Sequence, residues 1–266
     1  MPAPFALAGG AELDLKRFGL GLLAFCMANS AVYSFNDAQD AERDRLHDEK
    51  RHRPVAAGRI STVQAYLWAA TLVVGGAMLA MASRSPHALT IFSLYLVTNL
   101  FYSLRGKNIP LIDVFLLSFF FLLRFLLGCA LLSAAPSNWL LLCSYSLALF
   151  LALAKRRADI LKGLDGNHRP ALTGYNQSFL DMAMGITATM ATLSYAIYCI
   201  DSDLLLPGRQ FASLPFVVFG VLEYLRKAHV HGAGGNTVDL LLTSPTLLAV
   251  GIGWLGSVYW SVNLGL

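Results

Sequence analysis

Four polar side chains follow the first long apolar run of the sequence: Asn36, Asp37, Asp40 and Asp44. If a helix continues through them, Asn36, Asp40 and Asp44 recur every four residues and share one stripe of its surface. Carboxylates this close repel one another unless a cation neutralises them. Mg²⁺ suits such a site because it takes one or two carboxylates and completes its coordination with water and phosphate oxygens. We therefore predict that Asp37, Asp40 and Asp44 are catalytic residues that bind Mg²⁺ and, through it, a diphosphate.

The alternative for this acidic segment is a solvated helix end. Acidic side chains near the C-terminus of a helix oppose its dipole, so that alternative is disfavoured.

A basic segment follows the acidic one. Lys50, Arg51 and Arg53 lie within four residues, and Pro54 and Gly58 mark a loop before the next apolar run. Cations beside an acidic metal site suit a substrate with more negative charge than the metal neutralises, and arginine can bind phosphate through two parallel hydrogen bonds. We predict that Lys50, Arg51 and Arg53 bind substrate. The alternative is a set of cations that only anchors the loop on the cytoplasmic side.

A second basic segment, Lys155-Arg156-Arg157, lies at the end of the fifth apolar run. Such side chains either extend toward lipid headgroups or bind phosphate. Because this segment is expected on the same side of the membrane as the aspartates, we predict that Lys155 and Arg156 bind substrate. Asn36 and Tyr175 are further substrate-binding candidates.

Two other features leave alternatives open. Arg124 lies inside an apolar run, where an ionisable residue is costly and indicates function by default; a structural role, bonding backbone carbonyls of a neighbouring helix, fits equally well. The glycine-rich segment 232–236, flanked by His229 and His231, suits either a plain turn or a backbone that approaches phosphates. The two histidines do not share a helix face, which disfavours a metal site there.

The composition predicts an all-α, polytopic membrane helix bundle. The chain has 266 residues, of which 56% are hydrophobic and 14% charged, whereas soluble domains carry roughly 25% charged residues. A bilayer core of roughly 30 Å needs about 20 apolar residues per helix. Eight stretches qualify, and the length fits a single integral membrane domain over 1–266. The stretches lie near 16–35, 61–82, 88–104, 109–133, 138–154, 179–200, 210–226 and 239–262.

The distribution of cations predicts the topology. The loops at 36–60, 105–108 and 155–178, with Arg226 and Lys227, hold 15 Lys and Arg, and the opposite connections hold four. Because positive residues stay in the cytoplasm, the acidic and basic segments are expected to face the cytoplasm from the inner (plasma) membrane. Eight helices then put the N-terminus outside, which suggests that a first helix is missing.

The charged segments resemble the motifs of the UbiA superfamily of intramembrane prenyltransferases: Asn36-Asp37-x-x-Asp40-x-x-x-Asp44 and Lys50-Arg51-x-Arg53-Pro54-Val55-Ala56-x-Gly58. The same pattern includes Tyr102-Ser103-Leu104, Asp113-Val114 and Leu123-Arg124. Within the superfamily the chain looks most like the decaprenyl-phosphate phosphoribosyltransferase branch. That likeness rests on Lys155-Arg156-x-x-Asp159, Arg169-Pro170-x-Leu172-x-x-Tyr175, and Gly234-Gly235-Asn236 with Leu240-Leu241-Leu242-Thr243. The resemblance spans nearly the whole chain.

The resemblance implies a transferase that moves a phosphoribosyl group from 5-phosphoribosyl diphosphate to a polyprenyl (decaprenyl) phosphate, with Mg²⁺ as cofactor and diphosphate released. Relatives that use isoprenyl diphosphates carry a second aspartate cluster, where this chain has Lys155, Arg156 and Arg157 with only Asp159 nearby. Family members have nine transmembrane helices, so the resemblance implies that the first of them is missing from this sequence. Ser244-Pro245 stands where the branch often has Asp-Arg.

Two other functions are alternatives to this one. One is isoprenyl transfer from an isoprenyl diphosphate to an aromatic acceptor. The other belongs to a different class: an inactive accessory membrane subunit or a transporter, although inverted repeats, which would favour transport, are not evident. The expected partners are the two substrates and the membrane, with no nucleic acid, and a homo-oligomer is left open.

Overall fold

The computed structural model describes residues 14–46, 50–164, 166, 169–230, 232, 235 and 237–262. Within these ranges the chain forms α-helices and short 3₁₀ turns, no strand, and one isolated antiparallel bridge. The all-α prediction is therefore confirmed. The helices are α1 (Leu15–Gln39), α2 (Ala41–Arg45), α3 (Thr62–Ala82), α4 (Ala88–Leu104), α5 (Ile112–Leu131), α6 (Asn138–Leu161), α7 (Gln177–Asp201), α8 (Leu214–Val230), α9 (Thr237–Thr243) and α10 (Pro245–Ser261).

Each predicted apolar stretch coincides with helix in the structure. Five helices, α1, α3, α5, α6 and α7, are long and apolar enough to cross a membrane, and α4 is a shorter apolar helix. Many large apolar side chains are exposed, as in a protein solvated by lipid; Leu67, Val97 and Ile252 are examples. The predicted absence of a first helix concerns the start of the chain, where residues 1–13 lie outside the described part.

The last predicted stretch, 239–262, is divided into two helices. Helices α9 and α10 meet at an angle of 84° and count as one further span only if taken together. The break follows from the sequence Ser244-Pro245. Pro245 cannot donate a backbone hydrogen bond inside a helix but suits its first turn, and the Ser244 hydroxyl accepts the Leu247 N–H at 3.4 Å as the N-cap.

The chain forms two compact units. The N-terminal unit comprises Glu12–Leu104 and Leu126–Ala134, and it contains the acidic segment. The C-terminal unit includes Arg105–Phe125 and Ala135–Leu266, and it contains the second basic segment. The single-domain assignment over 1–266 stays a prediction.

Small residues allow α1 and α3 to lie close together in the N-terminal unit. Ala24, Ala28 and Ala31 of α1 are buried, as are Ala69 and Gly76 of α3. A Cβ atom added at Gly76 would lie 3.1 Å from the Ala24 carbonyl oxygen. Close backbone approach at small residues is a common way to associate helices in a membrane, where lipid removes most of the hydrophobic driving force. This packing fixes the helix that leads into the acidic segment.

Large side chains fill the core of the C-terminal unit. Phe150 of α6, Leu180 and Met184 of α7 and Tyr224 of α8 are buried together, with Val114 of α5. The Phe150 and Tyr224 rings meet edge to face, with their centroids 5.2 Å apart. This core holds the helix ends that carry the basic segment.

Candidate functional site

The acidic segment is helical across its length, apart from one residue. Helix α1 ends at Gln39 and α2 begins at Ala41, with Asp40 as the residue between them. The Asp40 N–H donates to the Asn36 carbonyl at 2.9 Å, and the Asp44 N–H donates to the Asp40 carbonyl at 2.8 Å. These are helical i to i−4 bonds, so the helical spacing on which the predicted stripe depends is maintained through the break.

Arg53 brings two of the aspartates together. Its Nη1 atom donates to Asp37 Oδ1 at 3.1 Å and to Asp44 Oδ2 at 3.0 Å. The Asp44 side chain is 6% exposed, that of Asp37 is 25% exposed and that of Arg53 is 41% exposed. A single cationic nitrogen therefore lies between two carboxylates, one of which is almost completely removed from solvent.

The residues at this point fit a magnesium ion. Two converging carboxylates are the number that Mg²⁺ typically takes from a protein. Asn36 adds a buried Oδ1 atom with no hydrogen-bond partner, an oxygen that a bound ion or substrate could satisfy. Within the described ranges, no group of three or more His, Cys, Asp or Glu side chains is close enough to hold a metal ion. The structure thus places Asp37 and Asp44 on the cationic side chain of Arg53. It does not gather all three aspartates at this point.

The loop that carries Arg53 is compact and fixed to the acidic segment. The Arg45 Nε atom donates to the Ala56 carbonyl at 3.2 Å, and the Arg53 N–H donates to the Lys50 carbonyl at 2.9 Å. Gly58 adopts a positive φ of 72°, which glycine accommodates without strain. Lys50 and Arg51 are exposed at the start of this loop, and their assignment to substrate stays a prediction.

A cavity of about 540 Å³ opens beside Asp37. Ser34 of α1, Arg59 of the loop, and Gln64 and Trp68 of α3 contribute to its lining. It combines apolar walls with a few polar groups, as small-molecule sites do. The acidic segment therefore borders a space large enough for a ligand within the N-terminal unit.

The C-terminal unit contains a buried ion-pair network centred on Asp113. Arg156 is 1% exposed; its Nε atom donates to Asp113 at 2.7 Å and its Nη1 atom to Asp159 at 2.9 Å. Arg169 lies 3.8 Å from the same Asp113 oxygen, Oδ2. Arg156 thus neutralises carboxylates of its own chain, whereas its neighbour Lys155 is exposed. The assignment of Lys155 and Arg156 to substrate stays a prediction.

Tyr175 completes this network. Its hydroxyl donates to Asp113 Oδ1 at 2.6 Å and accepts the Leu111 N–H at 2.6 Å. Leu111 has a φ of 64°, a conformation that is strained for a residue with a Cβ atom. Burial, and then the hydrogen bond to Asp113, raise the pKa of the Tyr175 hydroxyl above its usual range, so it remains a donor at neutral pH. Tyr175 therefore fixes the chain at the start of α5, and its assignment to substrate stays a prediction.

Comparison of the chain with known protein families identifies its family. Residues 1–233 match the UbiA prenyltransferase family. The chain belongs to this family. Its resemblance to the UbiA motifs, expected from the sequence, is therefore confirmed, and the protein is a transferase and a multi-pass membrane protein.

Relatives and solved structures agree with this assignment. The decaprenyl-phosphate phosphoribosyltransferase of Corynebacterium glutamicum is 29% identical over 274 residues, covering 99% of this chain and 82% of that protein. The digeranylgeranylglyceryl phosphate synthase of Methanopyrus kandleri is 30% identical over 191 residues, covering 70% of this chain and 65% of that protein. A UbiA homolog from Archaeoglobus fulgidus, solved bound to GPP and Mg²⁺, superposes with a TM-score of 0.73 at 19% identity and covers 97% of this chain and 92% of that one. The similarity to the Archaeoglobus structure establishes the fold.

Sequence reasoning missed several charged contacts of this UbiA transferase. Asp181 of α7 binds Arg157 at 2.5 Å and lies 3.1 Å from His229. Glu223 of α8 is 7% exposed, pairs with Arg226 and accepts the Thr246 hydroxyl of α10 at 3.0 Å. A lone acidic residue in an apolar stretch is an available signal, because such residues are retained in membranes only with a partner. His231 and most of the glycine-rich segment lie outside the described residues.

Proposed function

We propose that this UbiA transferase moves a phosphoribosyl group from 5-phosphoribosyl diphosphate to a polyprenyl phosphate, in a Mg²⁺-dependent reaction that releases diphosphate. The observation that carries the proposal is the convergence of Asp37 and Asp44 on one cation in a chain of this family. The name of the Corynebacterium relative, which aligns over 99% of the chain, suggests the phosphoribosyl group and the polyprenyl phosphate acceptor. The proposed reaction takes place at the cytoplasmic face of the inner membrane, as the distribution of cations indicates.

The chain's own residues support the departure of a diphosphate. Asp37 and Asp44 would hold Mg²⁺, with Asn36 Oδ1 as a further oxygen at the site. When bound, Mg²⁺ would supply positive charge to the leaving diphosphate. Arg53, with Lys50 and Arg51 on the same loop, can donate hydrogen bonds to the remaining phosphate oxygens.

The bond changes require no strong base in the protein. The bond between C1 of the donor's ribose and the diphosphate oxygen breaks, and a phosphate oxygen of the lipid forms the new bond to that carbon. The electrons of the broken bond leave with the diphosphate, whose negative charge Lys50, Arg51 and Arg53 of the loop would stabilise. The attacking phosphate is already anionic, so no proton has to be removed from it. The work of the protein is then positioning and electrostatic stabilisation of the developing charge.

Isoprenyl transfer is the second candidate, because the Methanopyrus relative is a digeranylgeranylglyceryl phosphate synthase. In this chain, isoprenyl transfer would use the same acidic site to release diphosphate from a different donor. The two candidates therefore differ in the donor they accept, and the acidic segment alone does not separate them.

The donor can be identified with the purified full-length protein in detergent. With Mg²⁺ and a polyprenyl phosphate, we expect diphosphate release from 5-phosphoribosyl diphosphate together with a phosphoribosylated lipid. Omitting the lipid or chelating Mg²⁺ is expected to stop both. Release from an isoprenyl diphosphate in the presence of an aromatic acid, and not from the phosphoribosyl donor, would replace this proposal with isoprenyl transfer. No release from either donor would favour the accessory-subunit alternative.

A further inference from the structure

Arg53 holds the position that a metal ion would take between Asp37 and Asp44. We propose that Arg53 is the resident counter-ion of the metal-free acidic site, and that Mg²⁺ binds tightly only when a diphosphate draws the guanidinium away. This rests on the proposed function in one respect: it takes the acidic site to be a metal-diphosphate site. It adds a competition between Arg53 and the metal ion that the site assignment alone does not contain.

Geometry makes the two cations mutually exclusive. Arg53 Nη1 is 3.1 Å from Asp37 and 3.0 Å from Asp44, so one nitrogen occupies the space between the two oxygens. A magnesium ion would need oxygen ligands at about 2.0–2.1 Å. An ion bound to the same two oxygens, Asp37 Oδ1 and Asp44 Oδ2, would therefore overlap the guanidinium nitrogen, and the two positive charges would repel each other.

Exposure indicates that Arg53 is the partner that moves. Its side chain is 41% exposed, whereas that of Asp44 is 6% exposed. Its backbone is held in the loop, because the Arg53 N–H donates to the Lys50 carbonyl and the Arg53 carbonyl accepts the Ala57 N–H. The guanidinium can therefore leave the carboxylates through rotation of its long side chain while the loop stays in place.

A diphosphate provides better hydrogen-bond acceptors for the Arg53 guanidinium than water does. Phosphate oxygens accept paired hydrogen bonds from a guanidinium, and a diphosphate also supplies oxygens to the metal. Displacement of Arg53 would then be offset by its new contacts. By linkage, diphosphate should strengthen metal binding and the metal should strengthen diphosphate binding by the same factor. Arg53 would then prevent the site from binding free Mg²⁺ tightly when no substrate is present.

The test measures Mn²⁺ binding by electron paramagnetic resonance on the full-length protein, without activity as a readout. In the absence of diphosphate, we expect Arg53→Gln to bind Mn²⁺ about 10-fold more tightly than the unmodified protein, the size of a typical coupling between two ligands. Arg43→Gln is the matched control: Arg43 is exposed on α2, and the variant loses the same charge near the same aspartates. It reports the effect of net charge alone, which should be smaller.

A second measurement keeps the proposal testable if Arg53→Gln does not fold. In the unmodified protein, with free Mn²⁺ buffered, inorganic diphosphate should tighten Mn²⁺ binding about 10-fold. The proposal is overturned if diphosphate leaves the affinity unchanged, or if Arg53→Gln and Arg43→Gln behave alike. Equal behaviour of the two variants would leave the metal-diphosphate site of the proposed function intact, whereas an affinity that diphosphate does not change would also count against a diphosphate held through the metal. If neither protein binds Mn²⁺ under any condition, the metal site itself fails and the coupling fails with it.

Discussion

Asp37→Asn or Asp44→Asn is expected to lower turnover by about 10²–10³-fold, the loss typical when one electrostatic contact to developing charge is removed. Each substitution removes one of the two carboxylates that converge on Arg53, and with it one negative charge at the proposed metal position. The measurement is the initial rate of diphosphate release at saturating Mg²⁺. Both variants should also require more Mg²⁺ for half-maximal rate.

Glu42→Gln is the control for this comparison. Glu42 lies between Asp40 and Asp44 in sequence, but its side chain is exposed. Its loss changes the net charge of the segment without touching the Arg53 contacts, so turnover should stay close to that of the unmodified protein. Equal losses in Glu42→Gln and Asp37→Asn would mean that only the general charge of the segment matters.

Arg156→Met is expected to destabilise the protein by about 3–5 kcal/mol, as is typical when one partner of a buried ion pair is removed. Asp113 is 0% exposed and would lose the Arg156 hydrogen bond at 2.7 Å. A buried carboxylate without that partner is costly because water cannot replace it. The measurement is the free energy of unfolding in mixed detergent micelles.

Lys155→Met provides the matched comparison, since Lys155 is the exposed neighbour on the same helix. We expect it to change stability by no more than about 0.5 kcal/mol. The double variant Asp113→Leu/Arg156→Met should recover part of the loss, because it removes the unpaired charge as well. If Arg156→Met is as stable as Lys155→Met and only donor binding weakens, then Arg156 acts on substrate and the structural role is wrong.

The apolar helices could be predicted from the sequence because each long apolar run must be helical in a bilayer, where every backbone group needs an internal partner. The break at Ser244 was missed, since the count treated 239–262 as one run. The sequence did contain the signal: Pro245 is a poor residue inside a helix and a good one in its first turn.

The acidic and basic segments could be located from the sequence because their residues lie close together along the chain. The pairing of Arg53 with Asp37 and Asp44 could not, because it depends on how the loop folds back over the helix end. The partners of Arg156 were missed for the same reason: Asp113 is 43 residues away in sequence. Local spacing predicts which residues share a face, and only the tertiary fold decides which charges they neutralise.

The central claim of the proposed function is that the acidic segment binds a divalent ion and, through it, the departing diphosphate. It is tested most directly by titrating Mg²⁺ into the double variant Asp37→Asn/Asp44→Asn, which removes both carboxylates that converge on Arg53, while diphosphate release from 5-phosphoribosyl diphosphate and polyprenyl phosphate is followed. The account predicts no Mg²⁺-dependent release at any concentration, from a protein that still folds. Release at the normal rate with an unchanged Mg²⁺ dependence would contradict it.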